Sequence, residues 1–136
     1  MNIGRKLSGC ALVKFQDKPT IVVAGGQDSE GNKLNKVEIL TLEPNADEDE
    51  IKEELKKSKW EELPELNFAR SNFPSVGIVQ GTLTVTAGKL DDPDSGISVE
   101  EFDGQKWIIS QDLSLKSPRF GHSTLKITKD WCDCDE

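Results

Sequence analysis

The sequence predicts an all-β chain of two successive four-stranded antiparallel sheets followed by the opening strand of a third. Three observations carry that prediction: a block of landmark residues recurs in one order, short apolar or alternating runs fill the space between landmarks, and glycine-containing pairs separate the runs. Self-similarity is the first of these to weigh, because a fixed period governs every later assignment. Ala24-Gly25-Gly26 aligns with Thr86-Ala87-Gly88, and eleven residues beyond the last Gly of each come Val37-Glu38-Ile39-Leu40 and Val99-Glu100-Glu101-Phe102. A Trp follows in each copy, Trp60 and Trp107, and then an Arg, Arg70 and Arg119.

The elements follow in chain order. Arg5, Arg70 and Arg119 each open a similar segment, so three starts bound two full copies, 1–69 and 70–118, with 119–136 beginning a third. Behind Arg5, the first strand is expected over Gly9–Lys14. Thr20–Gly25 is a short apolar run ending at glycines, the pattern of a strand buried on both faces. Lys36–Leu42 carries the Val-Glu landmark, and Lys59–Leu63 carries the Trp. The second copy repeats the set as Asn72–Val79, Thr82–Ala87, Ile97–Phe102 and Lys106–Ile109. Its second strand alternates with period two, and Gln80-Gly81 and Asp103-Gly104 supply the positive φ that tight hairpin turns require.

The periods are unequal, with 65 residues from Arg5 to Arg70 and 49 from Arg70 to Arg119. The excess is an insertion, Pro44 to Ser58, with acids first and lysines last, the order a helix dipole favours. Glu48-Lys52 and Glu53-Lys57 stand at i,i+4 with Glu leading. Only Ile51 and Leu55 offer an apolar stripe, so the expectation is a solvated, partly helical loop.

Composition narrows the function classes. Against 17 Lys and Arg stand 25 Asp and Glu, a net charge of -8 over 136 residues. Phosphate contacts draw on clustered cations, so nucleic acid is not the expected partner, and a basic protein segment is the natural complement. No apolar run reaches the roughly 18 residues of a spanning helix, and the first six residues lack the apolar stretch of a signal peptide. A soluble, cytoplasmic protein with reduced thiols is expected, the three Cys being an odd number without a secretory signal. Tyr is absent and His122 is the single His, so catalysis by paired imidazoles or by a phenol has no residues here.

The order Arg, paired glycines, Val-Glu, Trp, Arg resembles kelch repeats. In that family Gly25-Gly26 and the degenerate Ala87-Gly88 correspond to the paired glycines, and Trp60 and Trp107 to the later Trp. The aromatic usual after Val-Glu is Leu40 in the first copy and Phe102 in the second. The resemblance implies four-stranded blades of a β-propeller, here incomplete. It also implies a non-catalytic interaction module: an adaptor recruiting substrates to a cullin-type ubiquitin ligase or, alternatively, an actin-associated scaffold. A further alternative is part of a propeller enzyme whose active residues lie in other blades. Family oxidases depend on a tyrosine at the metal, which this chain lacks.

In such a family one loop face usually binds partners. Here its long loops are Gln27–Lys36 and Lys89–Ser98, made acidic by Asp28, Glu30, Asp91, Asp92 and Asp94; the alternative is that these acids are merely solvated. Arg70 and Arg119 could fork onto a partner's carboxylate, or could serve the architecture, since they recur with the repeat. Trp60 and Trp107 are expected to fill space between blades. Cys132-Asp133-Cys134 with His122 and Asp135 has the chemistry of a zinc set but not the spacing, so no metal and no cofactor is expected. Open blade faces and edges would allow self-association.

Overall fold

The computed structural model describes residues 1–43, 47–57, 59–91 and 94–121. His122, Cys132, Cys134, Asp135 and nearly all of the expected third copy lie outside the described residues, as do Asp92 and part of the insertion. The fold is mostly β, with two four-stranded antiparallel sheets in sequential strand order. The first contains β1 (Gly9–Phe15), β2 (Lys18–Ala24), β3 (Val37–Thr41) and β4 (Glu61–Leu63). The second contains β5 (Ser75–Val79), β6 (Thr82–Thr86), β7 (Ser98–Phe102) and β8 (Trp107–Ser114). All eight strands expected from the sequence are present, each shifted at one end or both.

Those shifts have local causes. β5 begins at Ser75 rather than Asn72 because Asn72 and Phe73 are left-handed, with φ of 57° and 60°, and Pro74 has no N–H for a ladder. The β1–β2 hairpin closes on Gln16 and Asp17, both at positive φ, and the β5–β6 hairpin on Gln80 and Gly81 in the same conformation. β8 runs on to Ser114 because the pairing slips between Ser98 and Glu100, a bulge that lets Ser98 meet Ser114.

The insertion is more regular than the sequence suggested. It contains α1 (Glu48–Lys57), whose amino end is capped by Asp47: its Oδ1 accepts the N–H groups of Asp49 and Glu50, each at 2.9 Å, while Glu50 accepts the Asp47 N–H at 3.0 Å. This reciprocal box satisfies donors a short helix would otherwise leave bare. Lys52 pairs with Asp49 at i,i+3 rather than with the expected Glu48, and Lys56 pairs with Glu53; the Lys57 side chain of the expected Glu53–Lys57 pair lies outside the described residues. Among the described residues no helix is long and apolar enough to cross a membrane.

Strand alternation gives each sheet two faces. One face of the first sheet, with Ala11, Val13, Val22, Ala24, Val37 and Ile39, covers one face of the second, with Val76, Ile78, Leu83, Val85, Phe102 and Trp107. β1 lies beside β5, and at their crossing a Cβ on Gly9 would stand 2.0 Å from the Pro74 carbonyl oxygen, so only glycine lets the strands approach. Phe102 joins Phe15 across the sheets and Trp107 within its own, at centroid distances of 6.1 and 5.3 Å. The core is therefore the space between the sheets.

Candidate functional site

The strands alternate direction, so the loops fall at two ends. One end gathers residues 1–8, the β2–β3 loop, the β4–β5 segment and the β6–β7 loop; α1 and the hairpin turns lie at the other. Backbone pairing stitches the first end together. Lys6 and Gln27 exchange N–H···O bonds of 3.0 and 2.8 Å, and Ser71 and Lys89 repeat the exchange at 3.1 and 2.7 Å. Gly26 donates to the Arg70 carbonyl at 2.7 Å, and Gly88 to the Arg119 carbonyl at 2.8 Å, so each copy's glycine grips the start of the next.

Beneath these loops each sheet holds a buried ion pair built from the landmarks of the repeat. Arg70 places Nε and Nη2 on Glu100 Oε1 at 3.1 and 3.0 Å, and Nη1 on the Ala87 carbonyl at 2.8 Å. The Asn67 backbone N–H and side-chain amide both donate to Glu100 Oε2, and the amide also donates to the Trp107 carbonyl at 3.0 Å. In the first sheet Arg5 pairs with Glu38 and bonds the Gly25 and Lys36 carbonyls at 3.0 and 2.8 Å, while Asn2 bonds Glu38 and the Trp60 carbonyl. All four charged side chains of these pairs are fully enclosed. Burial pulls the Arg70 guanidinium below its ordinary value and Glu100 opposes that shift, leaving a group that stays protonated at physiological pH.

This settles where the predicted residues stand. Arg70 is 0% exposed and spends its donors inside its own copy, so its fork faces no partner; its place is architectural. Arg119 is exposed, and its carbonyl serves the glycine of the preceding copy. Asp28 accepts the Glu30 and Asn32 N–H groups on Oδ1 and the Asn32 amide on Oδ2, so it shapes its own loop. The Asn32 amide, followed by these backbone donors, holds its carboxyl below the usual range. Glu30 is exposed and meets the Asn32 amide at 3.4 Å. Asp91, 86% exposed on its side chain, pairs with Lys33 of the other long loop. Asp94 opens a 3-10 turn, Asp94–Ile97.

Sequence reasoning missed Lys33 and the two asparagines. Lys33 is the cation that ties one acidic loop to the other. Asn2 and Asn67 each stand three residues before the repeated Arg, and that Asn-x-x-Arg spacing was a readable signal; the third Arg has Lys116 in the same place. Near the loops a shallow hollow of about 390 Å³ is lined by Gly4, Arg5, Lys6, Gln27, Asp28 and Ser29. Among the described residues no group of His, Cys, Asp and Glu is placed to hold a metal ion. No family model matches the chain, and no curated protein matches it.

Proposed function

We propose that the two sheets are kelch-type blades of an incomplete β-propeller and that the chain is a non-catalytic protein-interaction module. Its partner-binding face is the loop end carrying Asp28, Glu30 and Asp91, with Asp92 and Asp94 following in sequence. The reading is supported chiefly by the Lys33–Asp91 pair, which joins the long loops of two sheets into one surface. An acidic rim on a chain of net charge -8 suits a basic peptide segment. By fold analogy, the two roles considered are substrate recruitment to a cullin-type ubiquitin ligase and actin-associated scaffolding.

The test uses a lysine-rich peptide as probe and two triple variants of the whole chain. Asp91→Asn with Asp92→Asn and Asp94→Asn removes three charges from the loop end. Glu48→Gln with Asp49→Asn and Glu50→Gln removes three from the opposite end. The first is expected to weaken binding several-fold, and the second to change it little. Raising salt from about 0.01 to 0.15 M shortens the Debye length from roughly 30 to 8 Å and should weaken wild-type binding steeply. Equal losses in both variants would assign the attraction to net charge and refute the loop-end site.

A further inference from the structure

The repeat lets one interface serve as the template for another. Leu12, Ile21 and Trp60 of the first sheet stand where the second has Ile78, Leu83 and Trp107. In the second sheet that face is covered by the first, leaving Leu83 at 2% and Trp107 at 3% exposure, and the Trp107 indole donates to the Pro64 carbonyl at 2.9 Å. In the first sheet Leu12 is 67% exposed, and Ile21 and Trp60 are only half-buried. Trp60 Nε1 meets no acceptor among the described residues. Residues 1–5 already place Asn2 and Arg5 over Glu38, as Asn67 and Arg70 are placed over Glu100. Among the described residues no sheet covers this face and no carbonyl meets its Trp.

The chain carries a surface of the required kind at its other end. The outer face of the second sheet presents Gly77, Val79, Thr84 and Thr86 where the covering face of the first has Ala11, Val13, Val22 and Ala24. Threonine has nearly the outline of valine, so the shape of the covering face is kept while its polarity rises. Val79 and Ile108 on this face are 38% and 41% exposed. Leu113, which follows 49 residues after Pro64 in the repeat register, offers the equivalent carbonyl.

We propose that the chain associates head to tail with a second copy of itself, the outer face of one copy's second sheet covering the open face of the other's first sheet. This interface is independent of the acidic loops. It is heterologous, so a dimer keeps one free face of each kind and assembly continues to a ring or a short filament. The threonines make the outer face a poorer apolar partner than its template, so association is weaker than the packing within one chain and depends on concentration.

Sedimentation velocity of the full 136-residue chain tests this with one blocked variant for each face. Wild type should gain mass with concentration and pass beyond a dimer. Leu12→Lys blocks one face and Val79→Lys the other, so each alone should stay monomeric, whereas their equimolar mixture should form a dimer and nothing larger. A wild type that remains monomeric at every concentration overturns the proposal. So does either variant that still dimerises by itself, which would indicate face-to-face or edge pairing. Should a lysine reduce the far-UV β signal, Leu12→Ser and Val79→Ser replace the pair with the same required pattern.

Discussion

Glu38 and Glu100 occupy one position in two copies of one motif, yet the chain closes around them differently. Around Glu100, Arg70 uses two donors on one carboxylate oxygen and Asn67 two on the other, and Phe68 adds an N–H at 3.3 Å. Around Glu38, Arg5 supplies a single Nη2 contact, Asn2 supplies one backbone N–H, and Arg5 Nε is buried with no acceptor among the described residues. The segment bearing Arg70 is tied to both sheets, through Gly26 on one side and Lys89 on the other. The segment bearing Arg5 is tied to its own sheet through Gln27, and toward the second copy the Leu7 carbonyl accepts the Phe73 N–H at 2.9 Å. The same residues thus make a fully satisfied cluster where two sheets enclose it and an incomplete one where a single sheet is capped by the chain's first residues.

The largest expected effect removes the cation from each cluster. Arg70→Ala would leave Glu100 buried without its partner, which costs about 3–5 kcal/mol. Arg5→Ala has the same sign but a smaller size, because residues 1–5 can fray and let Glu38 reach water. Urea unfolding of both variants measures the difference. Equal losses would break the comparison, showing that the first cluster is as tightly enclosed as the second.

A second test compares the glycine grip in the two copies. Gly25 has φ of 63°, and a Cβ there would stand 2.4 Å from the Arg70 carbonyl oxygen. Gly25→Ala therefore adds a clash to a left-handed strain of about 1–2 kcal/mol. Ala87 already stands at φ 60° in the same register. Ala87→Gly should relieve that strain but lose about 0.4–1 kcal/mol through a freer unfolded chain, for a net gain between about 0 and about 1.6 kcal/mol. Melting temperatures read both. Destabilisation by Ala87→Gly would mean that the alanine methyl makes packing contacts worth more than the strain it carries.

Much of the fold was legible because glycines, hairpin pairs and strand alternation act locally. Tight turns at Gln80-Gly81 and Asp103-Gly104 need only neighbouring residues, and the strands they join were placed within a few positions. One ion pair in the insertion, Glu48–Lys52, was misread: charge spacing says which residues can meet, and Lys52 reaches Asp49 at i,i+3 instead. The site was harder to read. Arg70 offers the same residue type to a ligand or to a buried glutamate, and only the fold brings Glu100, 30 residues away, against its guanidinium. Lys33 carried no motif, and its meeting with Asp91 depends on how two sheets align their loops.

The smallest effect concerns two carboxylates that shape turns, Asp28 in the first copy and Asp103 in the second. Asp28 is held below the usual carboxylate range first by the Asn32 side-chain amide and then by backbone donors, whereas Asp103 is held there by the N–H groups of Lys106 and Gln105. Both folded pKa values are depressed, so the stabilising contribution is present above the unfolded carboxylate value and is lost as pH falls through the folded one. Asn32→Ala should move the Asp28 midpoint up toward its ordinary value and leave that of Asp103 in place, as read by carboxylate carbon shifts across an acid titration. The contrast separates a side-chain contact, which a substitution can delete, from a backbone one, which persists while the turn is folded. If Asp28 does not move, its own backbone donors suffice to set its pKa, and the two turns are electrostatically alike despite their different sequences.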